Sequence, residues 1–390
     1  MFVGYSVSEL EKLIKDSYPD FVYGEEIKPH TVKKIEFVTE YVDQWLYVVA
    51  QYSRQVFFVD AMCNSGIYKN HHLSTFVEVI NVFARHAQAM PNTTFYLMCN
   101  DNDIQKIKSL EKIVSVYKKT FMEYGINNLI FCISRADAKD YISQLKNNSL
   151  LAYKSNIFKT ILLYVDPYDL INKDLATEIQ KFSQKVYCEV LINFDTNDLA
   201  RNRNNLSCPN KMAEINCLIS DFCLCSLDSS INKVVKSFIN RFKPILGYHY
   251  LVRVKNSLKA ELYRLIFLTR NLKGLEKIKE ATWKSFSYHD EYSISNVDNA
   301  EPDIFGMNDE DWAFRVAVEK LEERIKALGK DKVTFIELEE IILQNSFLKK
   351  SHIIDKFLKP LINKGVIVKQ NLVNSRNYTE DCYVIYENNN

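Results

Sequence analysis

The chain has 390 residues, 47% of them hydrophobic, which is enough for a sizeable core and for two domains. Its net charge of +1 excludes nucleic-acid binding through whole-chain basicity. Nine cysteines without a regular framework favour a reducing compartment. The lack of an apolar run of about 18 residues predicts no membrane span. No charged-then-apolar leader opens the chain, so we expect a cytoplasmic protein.

Strands and helices are predicted to alternate through residues 1–286. A strong helix over 32–52, with Thr31 as its N-cap, precedes the first strand. Five apolar runs read as strands: 56–59, 94–99, 128–133, 160–165 and 186–194. This alternation predicts an α/β doubly wound, mostly parallel sheet. Two late strands, 248–254 and 262–269, lie close in sequence and are predicted to pair antiparallel. Five parallel strands with a late antiparallel hairpin are the order expected of a class I methyltransferase-like sheet.

Acidic residues follow three successive predicted strands, and a small-residue loop follows the first. In a doubly wound sheet, these strand ends line one crevice, where an acid suits the ribose hydroxyls of a nucleoside cofactor. The alternative is that each acid caps a turn, a common use of Asp. The candidate cofactor-binding residues are Asp60, Cys63, Ser65, Gly66, Asp101 and Asp137.

The fourth predicted strand ends in Asp166-Pro167-Tyr168, which we take as the candidate catalytic segment. Methyltransferases that act on planar amines place a related tetrapeptide there. Its Asp and the next carbonyl accept from an NH₂ group, and its aromatic ring stacks on the base. The alternative is a turn in which Tyr168 caps the core. Composition alone favours a loop role for His30 and a solvated position for Lys34, although Lys34 could face the crevice.

Residues 287–311 are acidic and are predicted to be a linker, and 312–390 are predicted to form a winged-helix domain with helices over 335–344 and 349–364. Basic residues on the late hairpin and in this domain suit nucleic acid. The alternatives are a solvated edge hairpin and a winged helix that binds protein. The candidate nucleic-acid-binding residues are Arg253, Lys255, Lys349, Lys350 and Arg376. Cys217, Cys223 and Cys225 lack a standard zinc spacing, so no metal is predicted.

Several stretches between residues 28 and 285 resemble the three-Cys-motif partner (TcmP) family. That family opens with H-T-x-x-K before a helix, and its first and fourth strands carry D-x-F-A-G-x-G-x-Y and D-P-Y-G. The residues that match are His30, Thr31, Lys34, Trp45, Asp60, Gly66, Tyr68, Asp166, Pro167, Tyr168, the stretch 262–269 with Tyr263 and Thr269, Gly274 and Trp283. Asn64 and Asp169 stand where the family has glycine; Asn tolerates positive φ, so the first turn can survive. The resemblance implies a methyltransferase-like fold and a three-Cys-motif protein as partner.

Two functional hypotheses remain open from the sequence. The first is an enzyme that transfers a methyl group from S-adenosylmethionine to an exocyclic amine of a nucleic-acid base, flipped out of any duplex. The second is a catalytically inactive methyltransferase-like protein that binds nucleic acid or a partner in a phage-defence or mobile-element system. Asn64 and the shortage of loop glycines favour the second, and Asp166-Pro167-Tyr168 favours the first.

Overall fold

The structure is a computed structural model, and it describes residues 2–151, 158–255, 260–285, 289–290, 293–294, 309–330, 332–363, 367–370 and 383–386. The chain divides into two compact units. The first comprises Met1–Val254 with Glu261–Arg270, and the second comprises Lys255–Ala260 with Asn271–Asn390.

Seven strands associated with the first unit lie in one sheet. In chain order they are β1 (Gln55–Asp60), β2 (Thr94–Asn100), β3 (Leu129–Ser134), β4 (Lys159–Val165), β5 (Glu189–Phe194), β6 (Tyr248–Lys255) and β7 (Glu261–Thr269). Their order across the sheet is β3-β2-β1-β4-β5-β7-β6. Strands β1 to β5 pair parallel, and β7 pairs antiparallel with β5. The predicted α/β class and mostly parallel, Rossmann-like sheet are therefore confirmed.

Helices pack against the sheet and bury its strands, and this burial explains why the strands are apolar. Residues 56–59 of β1 are fully buried, as expected of a parallel strand with both faces packed. The helices of this unit are α1 (Val7–Ser17), α2 (Pro29–Val49), α3 (Thr75–Ala89), α4 (Ile104–Glu123), α5 (Ala138–Asn147), α6 (Lys173–Lys185), α7 (Thr196–Asn202), α8 (Pro209–Cys217) and α9 (Ile231–Leu246). A π-helical turn, Leu218–Phe222, follows α8.

Helix α2 begins earlier than the sequence predicted. Its first residue is Pro29 and its N-cap position is held by Lys28, so Thr31 is not the cap. Proline suits the first helical position because its φ is already helical and the N–H it lacks would have no intrahelical partner. The earlier start places His30 and Lys34 within the first two turns of a packed helix, which matters for the site.

A buried carboxyl group ties α2 to the sheet. The hydroxyl of Tyr41 donates to Glu189 Oε2 at 2.8 Å, and Thr269 Oγ1 donates to Glu189 Oε1 at 2.6 Å. Burial raises the pKa of Glu189 above its ordinary value. Because Glu189 begins β5 whereas Lys34 contacts the residue after β4, α2 runs from the carboxyl ends of the strands towards their amino ends.

The second unit contains a smaller, three-stranded antiparallel sheet with the order β10-β12-β11. The helices and strands of the second unit are α10 (Leu272–Ser285), β8 (His289–Asp290), β9 (Ser293–Ile294), α11 (Asp309–Lys326), β10 (Lys332–Thr334), α12 (Phe335–Asn345), α13 (Lys359–Asn363), β11 (Ile367–Gln370) and β12 (Tyr383–Tyr386). The helix predicted over 349–364 instead starts with a π-helical turn at Ile353–Leu358 and continues as α13. Strand β10 was not predicted.

Helix α10 supplies part of the core of this second unit. Trp283 donates from Nε1 to the Phe347 carbonyl at 3.1 Å, and its ring stacks on Phe314 with centroids 5.5 Å apart. Most of the predicted linker 287–311 lies outside the described residues. Within the described part of the chain, no helix has the length and apolarity needed to cross a membrane.

Candidate functional site

The strand order creates a crevice between the carboxyl ends of β1 and β4. From β1 the chain proceeds outwards to β2 and β3, whereas β4 and β5 lie on the other side of β1. Ligands of open α/β sheets bind at such a switch point. A cavity of about 560 Å³ opens there, within the size range of small-molecule sites.

The cavity brings together most of the residues that the sequence proposed for cofactor and substrate. Its lining includes Asp60, Cys63, Asp101, Asp137, Asp166, Pro167 and Tyr168. These residues lie at the carboxyl ends of four different strands, as predicted from the acids at the strand ends. Ser65 and Gly66 are not among the described residues that line it.

The loop after β1 is held by bonds to both β2 and its own side chains. Cys63 N donates to the Asn100 carbonyl at 2.9 Å, and Asn64 N donates to Asp101 Oδ2 at 3.3 Å. Asn64 has φ of 61°, so it adopts the left-handed conformation that its residue type tolerates. Its own Oδ1 accepts from Ser65 N at 2.8 Å.

Gly66 serves the packing of this loop. Its φ is 95°, and a Cβ there would overlap the Ile113 side chain of α4. Ser65 is also buried, with 3% of its surface exposed. The small residues of the loop therefore let it lie against the helices, and neither Ser65 nor Gly66 is among the described residues that line the cavity.

Asp60 forms the floor of the cavity and is 1% exposed. Its Oδ1 accepts from Met62 N at 3.1 Å. Burial raises the pKa of Asp60 well above its ordinary value; the bond from Met62 opposes this rise, and the nearby Asp166 and Asp101 carboxylates add to it. The cavity thus contains a carboxyl group that a positive charge would help to ionise.

The two other strand-end acids differ in how freely they can reach a ligand. Asp101 is 7% exposed and accepts from Asn64 N and from Asp103 N, the latter at 3.0 Å, with Lys106 Nζ at 3.6 Å. These contacts leave part of its acceptor capacity unused. Asp137 is exposed and accepts from Lys139 N at 2.9 Å, which makes it the N-cap of α5.

Asp166 is enclosed by three donors. Lys34 Nζ lies 2.7 Å from its Oδ1 and 2.6 Å from its Oδ2. Tyr164 donates to Oδ2 at 2.9 Å, and Asn193 Nδ2 donates to Oδ1 at 2.8 Å. An ionised carboxylate has about four acceptor sites, so these bonds occupy them all.

The structure corrects the expectation that Lys34 is solvated. Lys34 is 7% exposed, and besides Asp166 its Nζ lies 5.4 Å from the centre of the Tyr263 ring. The Tyr263 hydroxyl donates to the His30 carbonyl at 2.9 Å, so the first turn of α2 is fixed over the crevice. Burial lowers the pKa of His30, and the charges of Lys28 and Lys34 lower it further.

Tyr168 lies at the cavity with 84% of its surface exposed, so it does not cap the core. A large exposed ring directly after Asp166-Pro167 is available to a planar ligand. Asp169, which stands at a glycine position of the resembled family, accepts from Lys211 Nζ at 2.9 Å. Lys211 also lies 3.2 Å from Asp198, so Asp169 belongs to a charge cluster on α7 and α8.

The basic residues proposed for nucleic acid are not among those that line the cavity. Arg253 lies on β6 with its Nε 3.9 Å from Glu261. Lys255 is the last residue of β6. In the second unit, Lys349 Nζ lies 5.7 Å from the Trp283 ring centre, and Lys350 pairs with Glu339 at 2.8 Å. Arg376 lies outside the described residues.

Asn193 and Tyr263 line the site but were not proposed from the sequence. Asn193 had a usable signal, since it is an amide within the otherwise apolar run 190–194 close to a strand's carboxyl end. Tyr263 lies in the stretch 262–269 that resembles the late motif of the TcmP family, but no site role was assigned to it, because an aromatic residue in a strand usually serves the core. Among the described residues, no group of three or more His, Cys, Asp or Glu side chains is arranged to hold a metal.

Comparisons with known proteins give similarity only at the level of structure. No family model and no curated protein matches the sequence. A Legionella pneumophila protein of the DUF519 family is similar with 11% identity, a TM-score of 0.39, and coverage of 65% of this chain and 92% of that one. A candidate class I S-adenosylmethionine-dependent methyltransferase from Listeria monocytogenes has 9% identity, a TM-score of 0.33, and coverage of 70% and 71%.

A third similar structure is CalS11, a TDP-rhamnose 3'-O-methyltransferase of calicheamicin biosynthesis. It has 11% identity, a TM-score of 0.27, and coverage of 55% of this chain and 83% of that one. Two of these three neighbours are described as methyltransferases, and all three TM-scores are below 0.5.

Proposed function

We propose that the crevice binds S-adenosylmethionine and that Asp166-Pro167-Tyr168 presents an exocyclic amine of a nucleic-acid base for methylation. One observation carries the proposal: a single cavity at the switch point joins the acids that follow β1, β2 and β3 to the Asp-Pro-Tyr segment that follows β4. One side therefore suits a nucleoside cofactor and the other a planar substrate.

The charge of the cavity fits this cofactor. S-adenosylmethionine carries a sulfonium and an ammonium group against one carboxylate, so it is a net cation. When bound, it supplies a methyl group on its sulfonium. Of the described residues, three lysines line the cavity, Lys28, Lys34 and Lys106, against seven carboxyl groups: Glu25, Glu26, Asp60, Asp101, Asp137, Asp166 and Asp195. Asp101 would hold the ribose hydroxyls, and Asp60 would favour the positive charge.

The substrate side fits a planar amine. The exposed ring of Tyr168 would stack on the base, and the Pro167 carbonyl would accept from the amine. Asp166 would anchor this end of the site, with its charge balanced by Lys34. A base within a duplex would have to be flipped out to reach it.

A second candidate function is favoured by the cage around Asp166. Because Lys34, Tyr164 and Asn193 occupy its acceptor sites, the carboxylate in this structure has no site left for an amine. A methyltransferase-like protein that binds nucleic acid or a partner without turnover would retain such a cage. Methyl transfer to a nucleic acid separates the two candidates.

The second unit belongs to the same proposal. A three-stranded sheet beside α11, α12 and α13 is the arrangement from which we propose a winged-helix domain that contacts nucleic acid, with Lys349 and Lys350 as contact residues. A three-Cys-motif protein is the partner we propose from the resemblance, in a cytoplasmic phage-defence or mobile-element setting.

Calorimetric titration with S-adenosylmethionine tests the cofactor assignment. Asp101→Ala is expected to weaken binding at least about tenfold, because hydrogen bonds to a charged group contribute about 1.5–3 kcal/mol each. Asp103→Ala is the matched control: Asp103 caps α4 and is not among the described residues that line the cavity. Failure of the wild type to bind would refute the cofactor assignment.

Transfer of labelled methyl groups to single-stranded DNA and RNA tests the reaction. The wild type is expected to label one of them, and Tyr168→Ala is expected to reduce labelling while keeping cofactor affinity, since the ring lies on the substrate side. Cofactor binding without any labelling would favour the inactive binding protein.

A further inference from the structure

We propose that the side-chain carbonyl of Asn193 is the acceptor that receives an N–H of the substrate amine, and that Asp166 acts by positioning Asn193. This rests on the proposed function and changes which atom meets the substrate. Asn193 is the penultimate residue of β5, lines the cavity and is 7% exposed.

The sheet places Asn193 beside Asp166. In the parallel pairing of β4 and β5, Val165 lies opposite Ile192. The residue after Val165 is Asp166, and the residue after Ile192 is Asn193. Asn193 Nδ2 donates to Asp166 Oδ1 at 2.8 Å. The reverse orientation of the amide would bring two oxygens together without a proton, so the carboxylate determines which way the amide faces.

This orientation leaves the amide oxygen without a donor. Asn193 Oδ1 is buried and has no hydrogen-bond partner among the described residues. A buried carbonyl oxygen without a partner is destabilising, and such atoms in folded proteins call for a specific explanation. A ligand N–H in the cavity would supply the missing donor.

Asp166 cannot play this receiving role as it stands. Its two oxygens already accept four bonds, from Lys34, Tyr164 and Asn193. For Asp166 to accept from an amine, Lys34 would have to give up a bond in an ion pair whose lysine is buried. Asn193 Oδ1 needs no such exchange, because no described group occupies it.

The same contacts specify the class of amine. Lys34 lies within 2.6 Å of Asp166, so the charges at this end of the site are balanced. An uncharged planar amine with two N–H groups suits a neutral carbonyl acceptor, with Tyr168 available for stacking. A protonated aliphatic amine would find no unpaired carboxylate in the Asp166 cage and would lie next to the Lys34 ammonium.

Two thermodynamic cycles, each with two proteins and one pair of ligands, isolate the Asn193 contact. Adenosine and purine riboside differ only in the 6-amino group, and cytidine and its 4-deamino analogue differ only in the 4-amino group. Affinities are measured by ligand-observed NMR for the wild type and Asn193→Leu, with saturating S-adenosylhomocysteine. The wild type is expected to prefer one amino ligand at least tenfold, and Asn193→Leu is expected to lose that preference.

Asn202→Leu is the matched control. Asn202 also donates from Nδ2 to an aspartate, Asp198 Oδ1, at 2.6 Å, but its Oδ1 accepts from Asn205 and it is not among the residues that line the cavity. This variant is expected to keep the preference. If Asn193→Leu fails to fold, Asn193→Ala replaces it in both cycles.

The outcomes separate this inference from the proposed function. Failure to bind S-adenosylhomocysteine contradicts the cofactor assignment, and the same cycles run without it still test Asn193. A preference that persists in Asn193→Leu, a wild type with no preference, or no binding of any nucleoside would overturn the inference. Tighter binding of Nα-acetyllysine amide than of the nucleosides would overturn the neutral-amine class.

Discussion

Asp60 is a single carboxyl group whose ionisation is coupled to the contents of the crevice. It is buried at the cavity floor, and its pKa is raised chiefly by that burial. In the unfolded chain, Asp60 ionises with its ordinary pKa of 3.8. In the folded, unliganded protein, it keeps its proton to higher pH. Its contribution to stability is therefore lost as the pH rises from 3.8 through the raised folded pKa.

A cation bound in the crevice would lower the raised pKa of Asp60, and this gives a prediction for the pH dependence of binding. Binding of S-adenosylmethionine is expected to release a proton from Asp60, so the affinity rises with pH up to the raised pKa of Asp60. Asp60→Asn keeps an acceptor for Met62 N and is expected to flatten this dependence. The measurement is calorimetry over a pH series in buffers of different ionisation enthalpy.

The control for this prediction is Asp137→Asn, at an exposed acid of the same cavity. It is expected to keep the proton release of the wild type. An unchanged pH dependence in Asp60→Asn would show that another group carries the proton.

At the scale of elements, the loop after β1 depends on one glycine for its packing against α4. Gly66→Ala combines a positive φ with overlap of the Ile113 side chain, so we expect a loss of about 2–5 kcal/mol. Gly125→Ala has φ of 69° but no atom within 4 Å of the added Cβ, so only the backbone strain of about 1–2 kcal/mol applies. Chemical denaturation of both full-length variants compares them, and equal losses would contradict the packing role.

The elements and the place of the crevice could be predicted from the sequence, because apolar runs and strand-end acids are local patterns. The left-handed backbone conformation of Asn64 was also predictable, since asparagine tolerates positive φ. The pairing of Lys34 with Asp166 was not, because it joins residues 132 positions apart through the docking of α2. Gly66 was assigned to the cofactor because a loop glycine looks alike in sequence whether a ligand or a helix approaches it.

At the scale of the whole molecule, the two units differ in what their helices contribute. In the first unit, α2 places Lys34 at Asp166 while its later turns bond Glu189, so one helix links the site to the sheet. In the second unit, α10 is part of the core: Lys279 is fully buried and donates to the carbonyls of Ser346 at 2.5 Å and Leu348 at 3.0 Å. Burial lowers the pKa of Lys279 well below its ordinary value.

The contribution of α10 predicts where a stable fragment must begin. A fragment of residues 271–390 keeps Lys279 and Trp283, whereas one of 312–390, the boundary expected from sequence, loses both. Each of their hydrogen bonds contributes about 0.5–1.5 kcal/mol, the packing of the Trp283 ring adds to this, and 1 kcal/mol shifts the melting temperature of a small domain by about 4–8 °C. We expect the shorter fragment to melt more than about 10 °C below the longer one in thermal unfolding followed by circular dichroism. Lys279→Met in the longer fragment is the control, and it should lower the melting temperature by a smaller amount because Trp283 remains. Equal melting temperatures for the two fragments would show that the unit is complete from residue 312 and that α10 adds nothing to its stability.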